Sequence, residues 1–229
     1  MDLKIIYEDE NLFAIDKPAG IDVISLGKEL ARQYPELKKI ERNGIIHRLD
    51  KDTSGVILTA KSNQSLIFFQ KQLKNRLVEK RYIALVVGNV KNDNGVIETL
   101  IGRNPKDRKK QKVFLEGEPG GQGQRQARTD YKVIGRFKDY TLLEVSPKTG
   151  RKHQIRCHFS YIGHPIARDK VYGFKNHLCP VGLSRQFLHA SYIKIKMPSG
   201  EIKEFKSELP EDLKKTISDN LRIKNQNEE

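Results

Sequence analysis

The chain has 229 residues, of which 43 are Lys or Arg and 29 are Asp or Glu, for a formal charge of +14. Such a surplus attracts a polyanion through counterion release and steers it from a distance, so nucleic acid is the leading class of partner. No apolar run approaches the roughly 20 residues that span a bilayer, the opening MDLKIIYEDE lacks the basic-then-apolar order of a signal peptide, and the chain is expected to work in the cytoplasm without membrane contact.

From the amino terminus, Leu12 to Ile15 predicts a short strand that stops at Lys17-Pro18-Ala19-Gly20, where Pro removes a donor and Gly permits a turn. Leu26 to Tyr34 predicts a helix with Leu26 and Leu30 on one face, and Val56 to Ala60 a strand. Ser62 is placed to cap a helix reaching to about residue 77, with Leu66, Phe69, Leu73 and Leu77 as its apolar stripe. Strands are predicted at Tyr82 to Val87, Val96 to Ile101, Thr129 to Ile134 and Tyr140 to Val145, all rich in β-branched and aromatic residues.

Residues 103–125 combine Arg103, Lys106, Arg108, Lys109, Lys110 and Lys112 with Gly117, Gly120, Gly121 and Gly123. They predict a mobile, basic, Gly-rich insertion that orders on a phosphate backbone. Its GGQG lacks the G-x-G-x-x-G spacing of a nucleotide-binding loop. After Thr149-Gly150, a helix to about Ile162 is predicted, with Ile155, Phe159 and Ile162 buried and its cations on a polar face, stopped by Gly163.

Leu188 to Lys196 and Glu201 to Lys206 flank Met197-Pro198-Ser199-Gly200 as a hairpin, and Pro210 opens a last helix with Leu213, Ile217 and Leu221 in register. Residues 225–229 are expected to fray. Strands and helices do not alternate in βαβ order and no linker divides the chain. The expected class is α+β, a single domain over residues 1–224 with a large, mainly antiparallel mixed sheet flanked by helices and loops.

The stretch His47 to Gly55, HRLDKDTSG, sets one carboxylate among cations in a turn just before an apolar strand. Arg48 and Lys51 close to Asp50 favour its ionised form, which could attack carbon or stabilise a cationic transition state. A kinase loop would need Asp directly after Arg, and a hydrolase elbow would need Gly in place of Asp52, so neither the kinase reading nor Ser54 as nucleophile is supported. Cys157 and Cys179 are far apart without C-x-x-C spacing, and His153 and His158 lack the H-E-x-x-H arrangement. Neither pattern points to a disulfide framework or a metal, and none is predicted. Cys157 reads as a buried thiol.

Six segments recur in a telling order: KPAGI at 17–21, HRLDKDTSG at 47–55, KRYIALVVG at 80–88, PKTGRKHQIRCH at 147–158, GHPIARDKVYG at 163–173 and LHA at 188–190. Together they resemble the successive motifs of the RluA family of RNA pseudouridine synthases, over nearly the whole chain. The resemblance implies a pseudouridine synthase-like catalytic domain with a central cleft. It places the nucleophilic aspartate on Asp50, the tyrosine that stacks on the target base on Tyr82, and the arginine that pairs with the aspartate on Arg156. It further implies that Arg48 enters the RNA stack where the base has left, and that Leu188 and His189 line the pocket wall. Lys17, Arg151 and Gln154 are expected as RNA or supporting contacts, and Lys109 and Lys110 as phosphate contacts.

The implied reaction breaks the bond from uracil N1 to the ribose, turns the base and joins C5 to C1′. It requires no redox change, no group donor and no cofactor. An ionised Asp can add to the sugar or remove a proton to give a glycal, and the residues suit both routes. Flipping the nucleotide out of the stack costs a few kcal/mol, offset by stacking on Tyr82 and insertion of Arg48. The resemblance suggests ribosomal RNA of the large subunit as substrate, with tRNA as runner-up, and a monomer as the working form. An RNA-binding or RNA-remodelling protein of the same fold is the competing reading. The chain is expected to start almost directly at the catalytic domain. Two departures from the family pattern, Arg168 where Gly is usual and Met197 where His is common, bear on target selection.

Overall fold

The computed structural model describes residues 3–115, 117–118, 123–174 and 179–225. The chain divides into two compact units, one built from Met1–Arg81 and His189–Leu209, the other from Tyr82–Leu188 and Pro210–Glu229. Each unit is discontinuous in sequence, and the divisions at 81/82 and 188/189 fall inside strands. That is why no shift of composition marks them.

In the first unit, β1 (Lys4–Glu8), β2 (Leu12–Lys17), β3 (Ser54–Ala60), the bulk of β9 (Leu188–Lys196) and β10 (Ile202–Lys206) lie in that order. The pairs are antiparallel except β3 with β9, where Ser54 stands beside His189 and Gly55 beside Ala190. All seven residues of β3 are buried. The strand is covered on both faces and reads as a continuous apolar run instead of an alternation.

Helix α1 (Val23–Gln33) starts earlier than its apolar pattern predicts because Asp22 accepts from the N–H groups of Ile24 and Ser25, a cap that contributes about 1 kcal/mol. Helix α2 (Asn63–Lys74) begins at the expected cap, the Ser62 hydroxyl accepting from Ser65 N at 3.1 Å. It ends before Leu77, which is exposed. Gln72 instead joins the buried face, exchanging hydrogen bonds with the Lys196 main chain at 2.8 and 3.1 Å. A polar residue at a core position is invisible to a count of apolar periodicity.

The second unit orders β4 (Glu79–Val87), β8 (Tyr140–Pro147), β7 (Arg125–Arg136), β5 (Asn94–Arg103) and β6 (Gln111–Phe114), each antiparallel to its neighbour. Ala84, Val86, Leu143 and Val145 from the sheet meet Ile155 and Phe159 of α3 (Gln154–Tyr161) in one core. Helix α4 (Glu211–Asn225) buries Leu213, as its register predicts. The side chain of Leu221 and residues 226–229 lie outside the described residues.

The class is α+β and mainly antiparallel, as the sequence indicates. Two strands fall outside the predicted elements, β1 and β6. Part of the segment read as a mobile insertion is strand β6, paired with β5 from Leu100↔Phe114 to Arg103↔Gln111. Val113 packs with Ile101, Ala127, Cys157 and Tyr172, and Phe114 is buried as well. Four residues with two apolar members are too short a signal to stand out from the Gly- and Lys-rich stretch around them. Gly120 and Gly121 of the GGQG sequence lie outside the described residues.

Candidate active site

In the first unit the HRLDKDTSG segment is fastened at nearly every residue. His47 accepts from the Leu58 N–H through Nε2 at 3.1 Å, pinning the segment onto β3. Burial, and then the positive charge of Lys80, push the His47 pKa down to about 3, so the ring stays neutral and able to accept. Leu49 is buried, Arg48 is exposed and Asp50 is partly buried. The Thr53 N–H closes a turn on the Asp50 carbonyl at 3.1 Å. Ser54 then pairs with His189 at 3.0 Å, and Gly55 follows with a φ of +114°. A Cβ at Gly55 would stand 2.2 Å from the Ala190 carbonyl oxygen, so only glycine lets β3 approach β9 this closely.

The KPAGI segment holds the same turn from the other side. Lys17 is 0% exposed, and its ammonium donates to the carbonyls of Pro18, Ile21 and Lys51 at 2.8, 2.9 and 3.1 Å. The Gly20 N–H donates to the same Lys51 carbonyl at 2.9 Å. Lys17 is therefore no RNA contact: it is a clamp that ties residues 18–21 to the residue after Asp50. Of the two expected roles, RNA contact or supporting contact, the structure gives Lys17 the second, because convergence of three carbonyls is a tertiary fact.

His189 is likewise held inside the fold. It is fully buried, with Nε2 donating to the Ser207 carbonyl at 3.0 Å, which leaves Nδ1 to accept from Ser54. Ser54, also buried, is scaffold, as the sequence reading had it.

In the second unit, Tyr82 lies on β4 opposite Val145 and packs partly buried against the main core. Leu188 belongs to that core. Helix α3 was expected to show its cations on a polar face; instead Gln154 through Phe159 are all buried. Its polar residues are satisfied internally. Gln154 accepts from the Thr149 hydroxyl and the Arg151 N–H and donates to the Arg128 carbonyl and Thr129 Oγ1, so it orders the turn and has no surface to offer RNA. His158 lies between the hydroxyls of Thr99 and Thr129 at 3.0 and 2.9 Å, and burial lowers its pKa to about 4. Burial pushes the Cys157 thiol up to about 12, in keeping with an inert buried cysteine.

Arg156 is 5% exposed, and Nε and Nη2 donate to the two carboxylate oxygens of Asp169 at 2.7 and 2.9 Å. Burial alone would raise the Asp169 pKa. The guanidinium, together with the N–H groups of Tyr172 and Val171, outweighs it and holds the carboxyl below its ordinary value. The Tyr172 ring lies 5.2 Å from the guanidinium carbon. Asp169 and Tyr172 belong to the GHPIARDKVYG motif, yet sequence gave them no role: nothing in the motif says that its carboxylate faces an arginine 13 residues earlier.

Arg151 is half-buried and donates from Nε to the Gln126 carbonyl at 3.0 Å. Lys109 and Lys110 sit on the turn that joins β5 to β6. The turn is built by the Asn104 and Asp107 side chains, which accept from Lys106 N and Lys109 N at 2.9 and 3.0 Å. Lys109 is exposed. The two family departures are now interpretable. Arg168 has a φ of +61°, the left-handed region where glycine is unstrained, and Met197 is buried in the β9–β10 turn.

Comparison with known proteins gives the family. The RNA pseudouridylate synthase profile matches residues 11–161, well over half of the chain. This chain belongs to the RNA pseudouridylate synthase family. It is 41% identical over 226 residues to the ribosomal large subunit pseudouridine synthase D of Nitrosomonas europaea, covering 92% of this chain and 63% of that protein. It thus spans somewhat less than two thirds of that relative. An uncharacterized RNA pseudouridine synthase of Bacillus subtilis, YlyB, is 38% identical over 97% of this chain and 74% of its own length. Among solved structures, human RNA pseudouridylate synthase domain containing 1 has a TM-score of 0.78 at 27% identity, over 91% of this chain and 84% of that one. The RluA-type motif order read from the sequence accords with this family membership.

Proposed function

We propose that this chain is an RNA pseudouridine synthase that isomerises uridine in large-subunit ribosomal RNA. The observation that carries the reading is the HRLDKDTSG turn, in which a partly buried Asp50 is held by a buried lysine, a neutral histidine and a glycine-only strand approach. Asp50 is its nucleophile and Tyr82 the aromatic that stacks on the target base, as the family motifs imply, while Arg156, paired with Asp169, supplies a buried cation to the reaction. The net change is a shift of C1′ from N1 to C5, with the proton lost at C5 balanced by one gained at N1. The ribosomal substrate rests on the names of relatives such as the Nitrosomonas europaea protein. Exposed Arg48 and Lys109 supply RNA contacts, in the cytoplasm and from a monomer.

The test is Asp50→Asn. It is expected to abolish pseudouridine formation while leaving salt-dependent RNA binding within a few-fold of the parent. Undiminished pseudouridine formation by this variant would overturn the reading. Mapping the pseudouridines lost from ribosomal RNA and tRNA when the gene is deleted assigns the substrate.

A further inference from the structure

Within the second unit, Arg156 is held by Asp169 and by the Tyr172 ring, residues to which the proposed chemistry gives no part. Asp169 takes Nε and Nη2 in a bidentate pair at 2.7 and 2.9 Å. The carboxylate is itself fixed, Oδ1 accepting from Val171 N at 2.8 Å and Tyr172 N at 3.0 Å. Gly173 N donates to the Asp169 carbonyl at 2.9 Å, and a Cβ on Gly173 would stand 2.5 Å from that oxygen, so the 169–173 turn admits no bulk.

The Tyr172 ring covers the guanidinium, and its hydroxyl is anchored twice. It accepts from the Gln111 N–H at 2.7 Å and lies 3.0 Å from His153 Nδ1. Gln111 opens β6, directly after Lys109 and Lys110, and His153 stands at the start of α3. One tyrosine therefore joins the basic hairpin, the helix that carries Arg156 and the carboxylate that holds it. A bidentate guanidinium–carboxylate pair fixes direction as well as charge, and a shift of about 1 Å in a reacting group can cost about a hundredfold in rate.

We propose that Asp169 and Tyr172 are positioning residues of the synthase reaction, Asp169 setting the orientation of the Arg156 guanidinium and Tyr172 locking that orientation to β6 and to the start of α3. The inference rests on the synthase reading above. It differs from a purely structural role because it predicts a loss in the chemical step by folded protein whose RNA binding is intact.

The experiment compares the full chain with Asp169→Asn, Tyr172→Phe and, as control, Asp50→Asn, using a ribosomal RNA fragment that the parent modifies. Single-turnover rate at saturating RNA, RNA Kd and Tm are measured on the same preparations. Asp169→Asn is expected to lower the rate about a hundredfold and Tyr172→Phe, which keeps the ring but cuts both hydroxyl contacts, about tenfold. Kd should stay within twofold for both. A folded Asp169→Asn within twofold of the parental rate overturns the proposal, as does a loss that appears only in Kd. If Asp169→Asn does not fold, Tyr172→Phe decides alone: a parental rate overturns the proposal and a slowed rate with parental Kd and Tm supports it. If Asp50→Asn is active, the synthase reading itself has failed. If Asp50→Asn is dead while the other two match the parent, only the positioning role has failed.

Discussion

The Asp50 turn and the Arg156 grip hold a functional side chain in opposite ways. Around Asp50 the fixing is done through the main chain: Lys17 donates to three carbonyls, His47 accepts one N–H, and Gly55 allows a strand to close in. Around Arg156 it is done by side chains, with Asp169 and Tyr172 contacting the guanidinium itself. A main-chain scaffold leaves the carboxylate only partly buried and fixes its turn through residues at constant spacing. A side-chain grip buries the cation and fixes its direction through residues brought together by folding. The lesson is that the first kind of site writes a contiguous motif, and the second writes scattered letters.

The contrast is broken most forcefully from the Asp50 side. Lys17→Met keeps much of the side-chain volume but leaves three buried carbonyls without their donor. The expected loss is about 3 kcal/mol or more of unfolding free energy, read by urea denaturation, with activity falling alongside. A loss under about 1 kcal/mol would mean that the carbonyls find other donors and that Lys17 is not the clamp.

Acidity should weaken both units. His47 in the first and His158 in the second have folded pKa values lowered to about 3 and about 4. Each takes up a proton on unfolding when the pH lies between its folded value and the ordinary value near 6.5. Their stabilising contribution is complete above about pH 6.5 and is lost as the pH falls toward the folded values, with about two protons taken up on unfolding near pH 5 from these two groups. Urea midpoints at pH 7.5, 6 and 5 measure this slope; a flat profile would show that the rings are protonated in the folded protein.

At the β5–β6 turn of the second unit, Lys109→Ala with Lys110→Ala should weaken binding to all RNAs alike if the proposed phosphate contacts are made there. The slope of log affinity against log salt should fall by about 2. An unchanged slope would make the hairpin turn a solvated surface only. The smallest expected effect sharpens the grip: Arg168→Gly, next to Asp169, relieves a left-handed arginine and should stabilise by about 1 kcal/mol. The measurement is Tm, and an unchanged or lower value would show that the Arg168 contact with Cys179 Sγ at 3.1 Å offsets the strain.

Much of the candidate site was legible because the residues proposed for catalysis sit in contiguous motifs. HRLDKDTSG and KPAGI named Asp50 and Lys17, and strand patterns placed Tyr82 on β4. What the motifs could not show is which of their cations and amides are buried. Lys17, Gln154 and His189 are buried, with the Lys17 ammonium reaching a carbonyl 34 residues away, and for Lys17 and Gln154 this is the supporting alternative of the two roles expected. Strand β6 was missed for the related reason that its two buried residues are outnumbered by basic neighbours.

The sequence by itself determined the family, the class and the elements with long apolar patterns, because period and motif spacing are properties of neighbours along the chain. It also determined the charge that points to a polyanion. Only the tertiary structure decided which polar groups are spent inside the fold: the ammonium of Lys17 on three carbonyls, the guanidinium of Arg156 on Asp169, and the hydroxyl of Tyr172 between β6 and α3. The reason is physical. A buried charge is tolerable only where partners converge on it, and convergence is set by packing between segments that sequence order keeps apart.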